Sequence, residues 1–231
     1  SDDHFNGCSC GGSHREGSIL CLFYYLHSFR RVYHSGRFIV MFPILGIMAS
    51  QISGHLDAGA YESISTVTVG GAGASSASFT SIAADWKHLQ VRLIARSNRS
   101  GFTQDVIRIR YNGDAGSNYA WHMVEGTGVS PASASAGTST SSPWTLFTGG
   151  ATATASVFSA GVVDVLDYSS TNKNTTTRVL SGLEQNTSDS RVGLSSVLWN
   201  NTAAVTSIDI APIYGTGFVE FSQFALYGIK G

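Results

Sequence analysis

HLQVRLIARS (88–97) places Leu89, Val91, Leu93 and Ala95 on one side of an extended chain and Gln90, Arg92 and Arg96 on the other, because successive strand side chains point to opposite faces. Ile94 is the exception, an apolar residue on the polar side. VIRIRY (106–111) repeats the pattern, with Ile107, Ile109 and Tyr111 opposed to Arg108 and Arg110. A strand with one dry and one wet face belongs to an antiparallel sheet packed on one side, not to a parallel sheet covered on both.

Working outward, further strand patterns occupy 61–69, 75–82, 118–125, 144–149, 157–168, 175–184, 191–199, 204–212 and 218–229. The segment from Val157 to Leu166 is apolar on both faces and reads as a central strand. Turn signals separate them: GGAGA (70–74), YNGDAGSN (111–118) with its Asn-Gly pair, STNKN (170–174) and YGTG (214–217). No stretch after residue 60 sustains a helical period. The expected fold is all-β, an antiparallel two-layer β-sandwich of jelly-roll type over 57–231.

Only 13% of the 231 residues are charged and the formal net charge is −1, against roughly 25% charged residues in an ordinary chain. So weak a field gives little attraction to nucleic acid, and no nucleic-acid partner is expected. From Gly126 to Val163 there is no charged residue at all, and Ser, Thr, Ala and Gly dominate. Such a surface repels its neighbours little and suits packing against other subunits.

The first forty residues differ in character. All three cysteines (Cys8, Cys10, Cys21) and four of the seven histidines lie there. They are expected to be upstream or leader sequence preceding a start at Met41 or Met48. Two other readings compete. His4, Cys8, Cys10 and His14 are zinc-type ligands, but Cys-x-Cys is tighter than the usual gap, so no metal site is assigned. Arg30, Arg31 and Arg37 before FIVMFPILGIMA (38–49) imitate a secretory signal. That apolar run is too short for a membrane span, which needs about 20 residues, and no membrane association is expected. Residues 41–56 read as an N-terminal arm whose apolar side chains dock on a neighbouring subunit.

Common catalytic motifs are absent, and no cofactor is implied. Asp164 and Asp167 are the nearest approach to a glycosidase carboxylate pair, yet at that spacing on one strand they point to opposite faces. Asp167 is expected at a strand-end turn and Asp164 as a paired or edge carboxylate. Arg92, Arg96, Arg108 and Arg110 would share one outer face if their two strands were neighbours, with Glu62, Asp105, an acidic ligand or another subunit offsetting their repulsion. Tyr119, Trp121 and Trp144 lie near strand ends, where rings can stack on a sugar or anchor an interface. For Trp121 and Trp199 core packing is the competing role. The hydroxyl-rich loop around 126–143 would complete a glycan-binding surface.

The segments PILGIMASQISGHL (43–56), AYESISTVTVG (60–70), KHLQVR (87–92), YNGDAGSNYAWH (111–122), VDVLDYSSTNKNTTTR (163–178), LWNNTAAVTSIDI (198–210) and FALYGIKG (224–231), taken in order, resemble a family of tailed-bacteriophage virion proteins. The resemblance covers 43–231 and stops short of the first forty residues. It implies a non-enzymatic structural protein of the particle, made in the bacterial cytoplasm and tail-associated or surface-exposed. Its partners would be other virion proteins and further copies of itself. A host-glycan-binding module is the alternative, and a capsid decoration protein a third placement. The resemblance also favours Met41 as the start. Within it, STNKN becomes a turn with Lys173 exposed, and LWNNTAA tucks Trp199 under a loop while Asn200 and Asn201 satisfy backbone groups at the corner.

Overall fold

The computed structural model describes residues 59–231; the leader expected at 1–40 and the arm at 41–56 lie outside them. Twelve strands occur among the described residues: β1 (Tyr61–Thr68), β2 (Ala77–Phe79), β3 (His88–Ala95), β4 (Gln104–Tyr111), β5 (Tyr119–Gly126) and β6 (Ser133–Thr140), then β7 (Leu146–Gly149), β8 (Ser159–Leu166), β9 (Thr175–Leu183), β10 (Arg191–Trp199), β11 (Ile208–Pro212) and β12 (Gln223–Ile229). Every named strand pair is antiparallel. One sheet has the order β1-β12-β3-β8-β9-β10-β5-β6 and the other β2-β11-β4-β7. The fold is therefore the expected two-layer sandwich, with its twelve strands divided eight and four.

Alternation turns directly into this packing. Leu89, Val91, Leu93 and Ala95 of β3 are buried, as are Ile107, Ile109 and Tyr111 of β4. They meet in one core whose largest fully buried members include Trp199, Tyr111, Tyr119, Tyr168, Phe218 and Phe224. β8 occupies the middle of the larger sheet, between β3 and β9, as its two-sided apolar pattern requires. At the Asn-Gly turn, Asn112 and Gly113 take φ of 51° and 68°, and the Asp114 amide closes the turn on the Tyr111 carbonyl at 2.9 Å. Positive φ at both central positions is the dihedral pattern of a tight type I′ turn, which here starts the crossing from β4 in one sheet to β5 in the other.

The region 126–143 is not simply a loop, because it contains β6, an edge strand paired with β5. Its sequence SASAGTST has no apolar alternation, since as an exposed edge it buries little. Gly137 explains the fit: a Cβ there would lie 2.4 Å from Nε1 of Trp121, whose ring lies against that backbone.

The corners follow the expected pattern except at Asn200, whose side chain bonds another side chain and not the backbone. Trp199 is buried, and its Nε1 donates to Asp114 Oδ2 at 2.7 Å. Asn201 Oδ1 accepts the Ala203 amide at 2.8 Å, and Asn200 Oδ1 accepts from Asn174 Nδ2 at 2.8 Å. Lys173 is exposed and reaches back to Asp167 in the turn after β8.

Candidate subunit interface

The four arginines do not gather on one face. β3 belongs to the eight-stranded sheet and β4 to the four-stranded one, so their polar sides look away from opposite layers of the sandwich. The two strands have the same alternation but different hydrogen-bonding neighbours, and alternation carries no information about neighbours. Each guanidinium is satisfied separately. Arg92 lies between the rings of Tyr61 and Tyr227, 5.1 Å from each centroid, and its Nε donates to Gln90 Oε1 at 2.7 Å. Arg96 donates to the carbonyls of Ala151, Ala153, Thr154 and Val157 at 2.8–3.3 Å, tying down the segment between β7 and β8. Arg108 pairs with Asp209 at 3.2 Å, and Arg110 donates to the Ser141 carbonyl at 2.7 Å. Glu62 and Asp105 have other duties: Glu62 accepts from Trp86, and Asp105 accepts backbone amides.

Two of the three candidate aromatics belong to the core. Tyr119 is buried, its hydroxyl accepting the Tyr111 amide at 3.0 Å. Burial raises its pKa to about 12. Trp121 is buried and stacks on Trp144, with 5.2 Å between centroids and 8° between planes. The partly exposed Trp144 thus has one face covered, and it meets the exposed Tyr214 edge-on at 6.3 Å. Neither Tyr119 nor Trp121 offers a free face to a sugar.

The feature that sequence reasoning missed is the outer face of the larger sheet, and strand register lays it out as rows. One row runs Tyr227, Gln90, Asp164, Arg178, Ser196, His122 across six strands. It is polar and internally bonded: Gln90 Nε2 donates to Asp164 Oδ1 at 2.8 Å, and Arg178 pairs with Asp164 Oδ2 at 3.0 Å. Of the two roles expected for Asp164, paired or edge carboxylate, it has the paired one. The next row runs Ala225, Arg92, Val162, Leu180, Leu194, Val124, and the one beyond it Gln223, Ile94, Ala160, Gly182, Val192, Gly126.

Those last two rows form an apolar band. Ile94, Leu180, Val192, Leu194 and Val124 are each between 45% and 57% exposed. From β3 to β5 the band spans roughly 20 Å at about 4.8 Å per strand. Five such side chains present on the order of 500 Å² of apolar surface, toward the upper end of the largest patch on a typical monomer. Within the band, the small residues Ala160 and Gly182 sit low between Ile94, Leu180 and Val192, leaving an open trough of about 570 Å³. The one sequence signal was Ile94, the exception to alternation in β3.

The end of β8 carries a separate charged cluster. Asp167 has φ of 47°, accepts a bond from Lys173 and forms an ion pair with Lys87 at 2.9 Å. Its amide donates to His88 Nδ1 at 2.9 Å. The hydrogen bond from Lys173, then that from Lys87, hold the carboxyl down at about 2. An unfolded aspartate ionises near ~3.9, so the cluster stabilises the fold fully above about pH 4 and loses that effect as pH falls toward 2. Thermal melts of Asp167→Asn should therefore decline less between pH 5 and pH 2 than those of the parent. An unchanged decline would rule the cluster out as a source of acid sensitivity.

Against this geometry the comparisons are silent: no protein-family model, no curated protein and no solved structure matches the chain.

Proposed function

We propose that this chain is a non-enzymatic structural subunit of a bacteriophage particle, tail-associated or exposed on the virion, that packs on its neighbours through the outer face of its eight-stranded sheet. The observation that carries the reading is the apolar band centred on Leu180 and Leu194, which water would otherwise cover at a cost. The charge-poor composition and the resemblance of the ordered motifs along 43–231 to virion proteins agree with it. Mass spectrometry of particles purified from the phage that encodes this chain tests it. The chain is expected in many copies per particle, and its absence from washed particles would end the proposal.

Glycan recognition is the second reading, and the exposed rings of Tyr214 and Phe102, held either side of half-buried Arg99, favour it. The Arg99 guanidinium lies 4.3 Å from the Tyr214 centroid and 3.8 Å from that of Phe102. On this reading sugar binding moves from Trp121 to Tyr214, and glycan-array signal would vanish in Tyr214→Ala.

A further inference from the structure

We infer that the occupant of the apolar band is a second copy of this chain, two copies joining face to face through their eight-stranded sheets; this rests on the reading of that face as a subunit interface. The first ground is shape. Ridge (Leu180, Leu194) and trough (Ala160, Gly182) lie in adjacent rows of one surface. A two-fold axis lying parallel to the rows, between that of Leu180 and that of Gly182, exchanges them, so Leu180 of each copy enters the other's trough at Gly182 while Leu194 meets Val192, which is the self-complementarity a two-fold interface requires. Packed sheets about 10 Å apart interdigitate side chains in this way.

Charge gives the second ground. The three central rows carry two arginines, Arg92 and Arg178, against one aspartate, Asp164, a net of +1 with His122 neutral. Arg178 is already paired with Asp164 on its own copy, and Arg92 is held by Gln90 and two tyrosine rings. Two copies therefore repel little, and a single excess charge on the face is a weak selector for a partner of opposite sign. Area is the third. The band's apolar surface, with the flanking Tyr227, Gln223 and Arg92, approaches the roughly 800 Å² per partner of a standard stable interface.

Sedimentation velocity and light scattering on the full chain across micromolar concentrations provide the test, with a dimer as the expected result. Leu180→Glu places a charge on the ridge and should weaken the dimer at least about tenfold. Gly182→Leu should do the same by filling the trough. A Cβ at Gly182 meets nothing within 4 Å, so folding is preserved. Thr176→Glu, exposed on the same face but two rows from the band, should leave the dimer intact. A parent that stays monomeric overturns the inference, as does a dimer that survives both Leu180→Glu and Gly182→Leu. The two readings fail separately. A monomer found in particles ends the dimer and leaves the virion role standing, whereas a dimer missing from particles does the reverse.

Discussion

Trp199→Ala is expected to destabilise the domain by about 4 kcal/mol, the range for deleting a buried indole and leaving a partly collapsed cavity. Trp199 is 1% exposed and packs beside Tyr111, with 5.7 Å between ring centroids. Its Nε1 also donates to Asp114 Oδ2, the carboxylate that organises the 111–118 turn by accepting from the Gly116 amide at 2.8 Å and Asn118 Nδ2 at 2.9 Å. Core and turn are thus joined through one ring nitrogen. Denaturant titration measures the loss, and a change below about 1 kcal/mol would contradict the packing described.

Trp199→Phe separates the two contributions. The hydrogen bond from Trp199, then that from Asn118, hold the Asp114 carboxyl below the usual carboxylate range. A depressed folded pKa stabilises the protein above the unfolded value near ~3.9 and ceases to do so as pH falls through the folded value. Trp199→Phe keeps much of the ring but removes the largest cause of the depression. Its stability should therefore differ less between neutral and acid pH than the parent's.

Asp105→Ala is the second large effect, at about 3 kcal/mol, because it removes the acceptor of three backbone amides, one of them buried and two partly buried. Asp105 is fully buried at the start of β4. Its Oδ1 accepts the amides of Val106 at 2.7 Å and Tyr214 at 3.3 Å, and its Oδ2 accepts that of Gly215 at 2.9 Å. One side chain therefore joins β4 to the loop after β11, more than a hundred residues away in sequence. Hydrogen exchange at the Tyr214 and Gly215 amides should accelerate in the variant before the sheets themselves open. Protection equal to the parent's at both amides would show that the carboxylate does not hold the loop.

β3 shows how much of the fold was legible. Its inward set of Leu89, Val91, Leu93 and Ala95 was readable because a strand's period of two is a local property. The same holds for the central position of β8, written in its apolar outer residues, and for the Asn112–Gly113 turn, written in the only residue types that accept its dihedrals readily. β6 was not legible, because an exposed edge of Ser, Ala, Gly and Thr buries too little to impose a pattern. The aromatics Tyr119 and Trp121 looked available for binding because their alternation says which residues share a face, not how much of the neighbouring sheet covers it.

The candidate interface divides along the same line. Sequence alone determined that the chain builds two antiparallel layers, that its surface is poor in charge, and that Ile94 breaks the rule of its strand. Tertiary structure decided what Ile94 belongs to. Register sets it level with Ala160, Gly182 and Val192 and beside Leu180 and Leu194, residues up to a hundred positions away. It also sent the arginines of β3 and β4 to opposite layers. Alternation is fixed by backbone geometry within one strand, whereas neighbours are chosen by the summed burial of all twelve, and a surface patch exists only once neighbours are chosen.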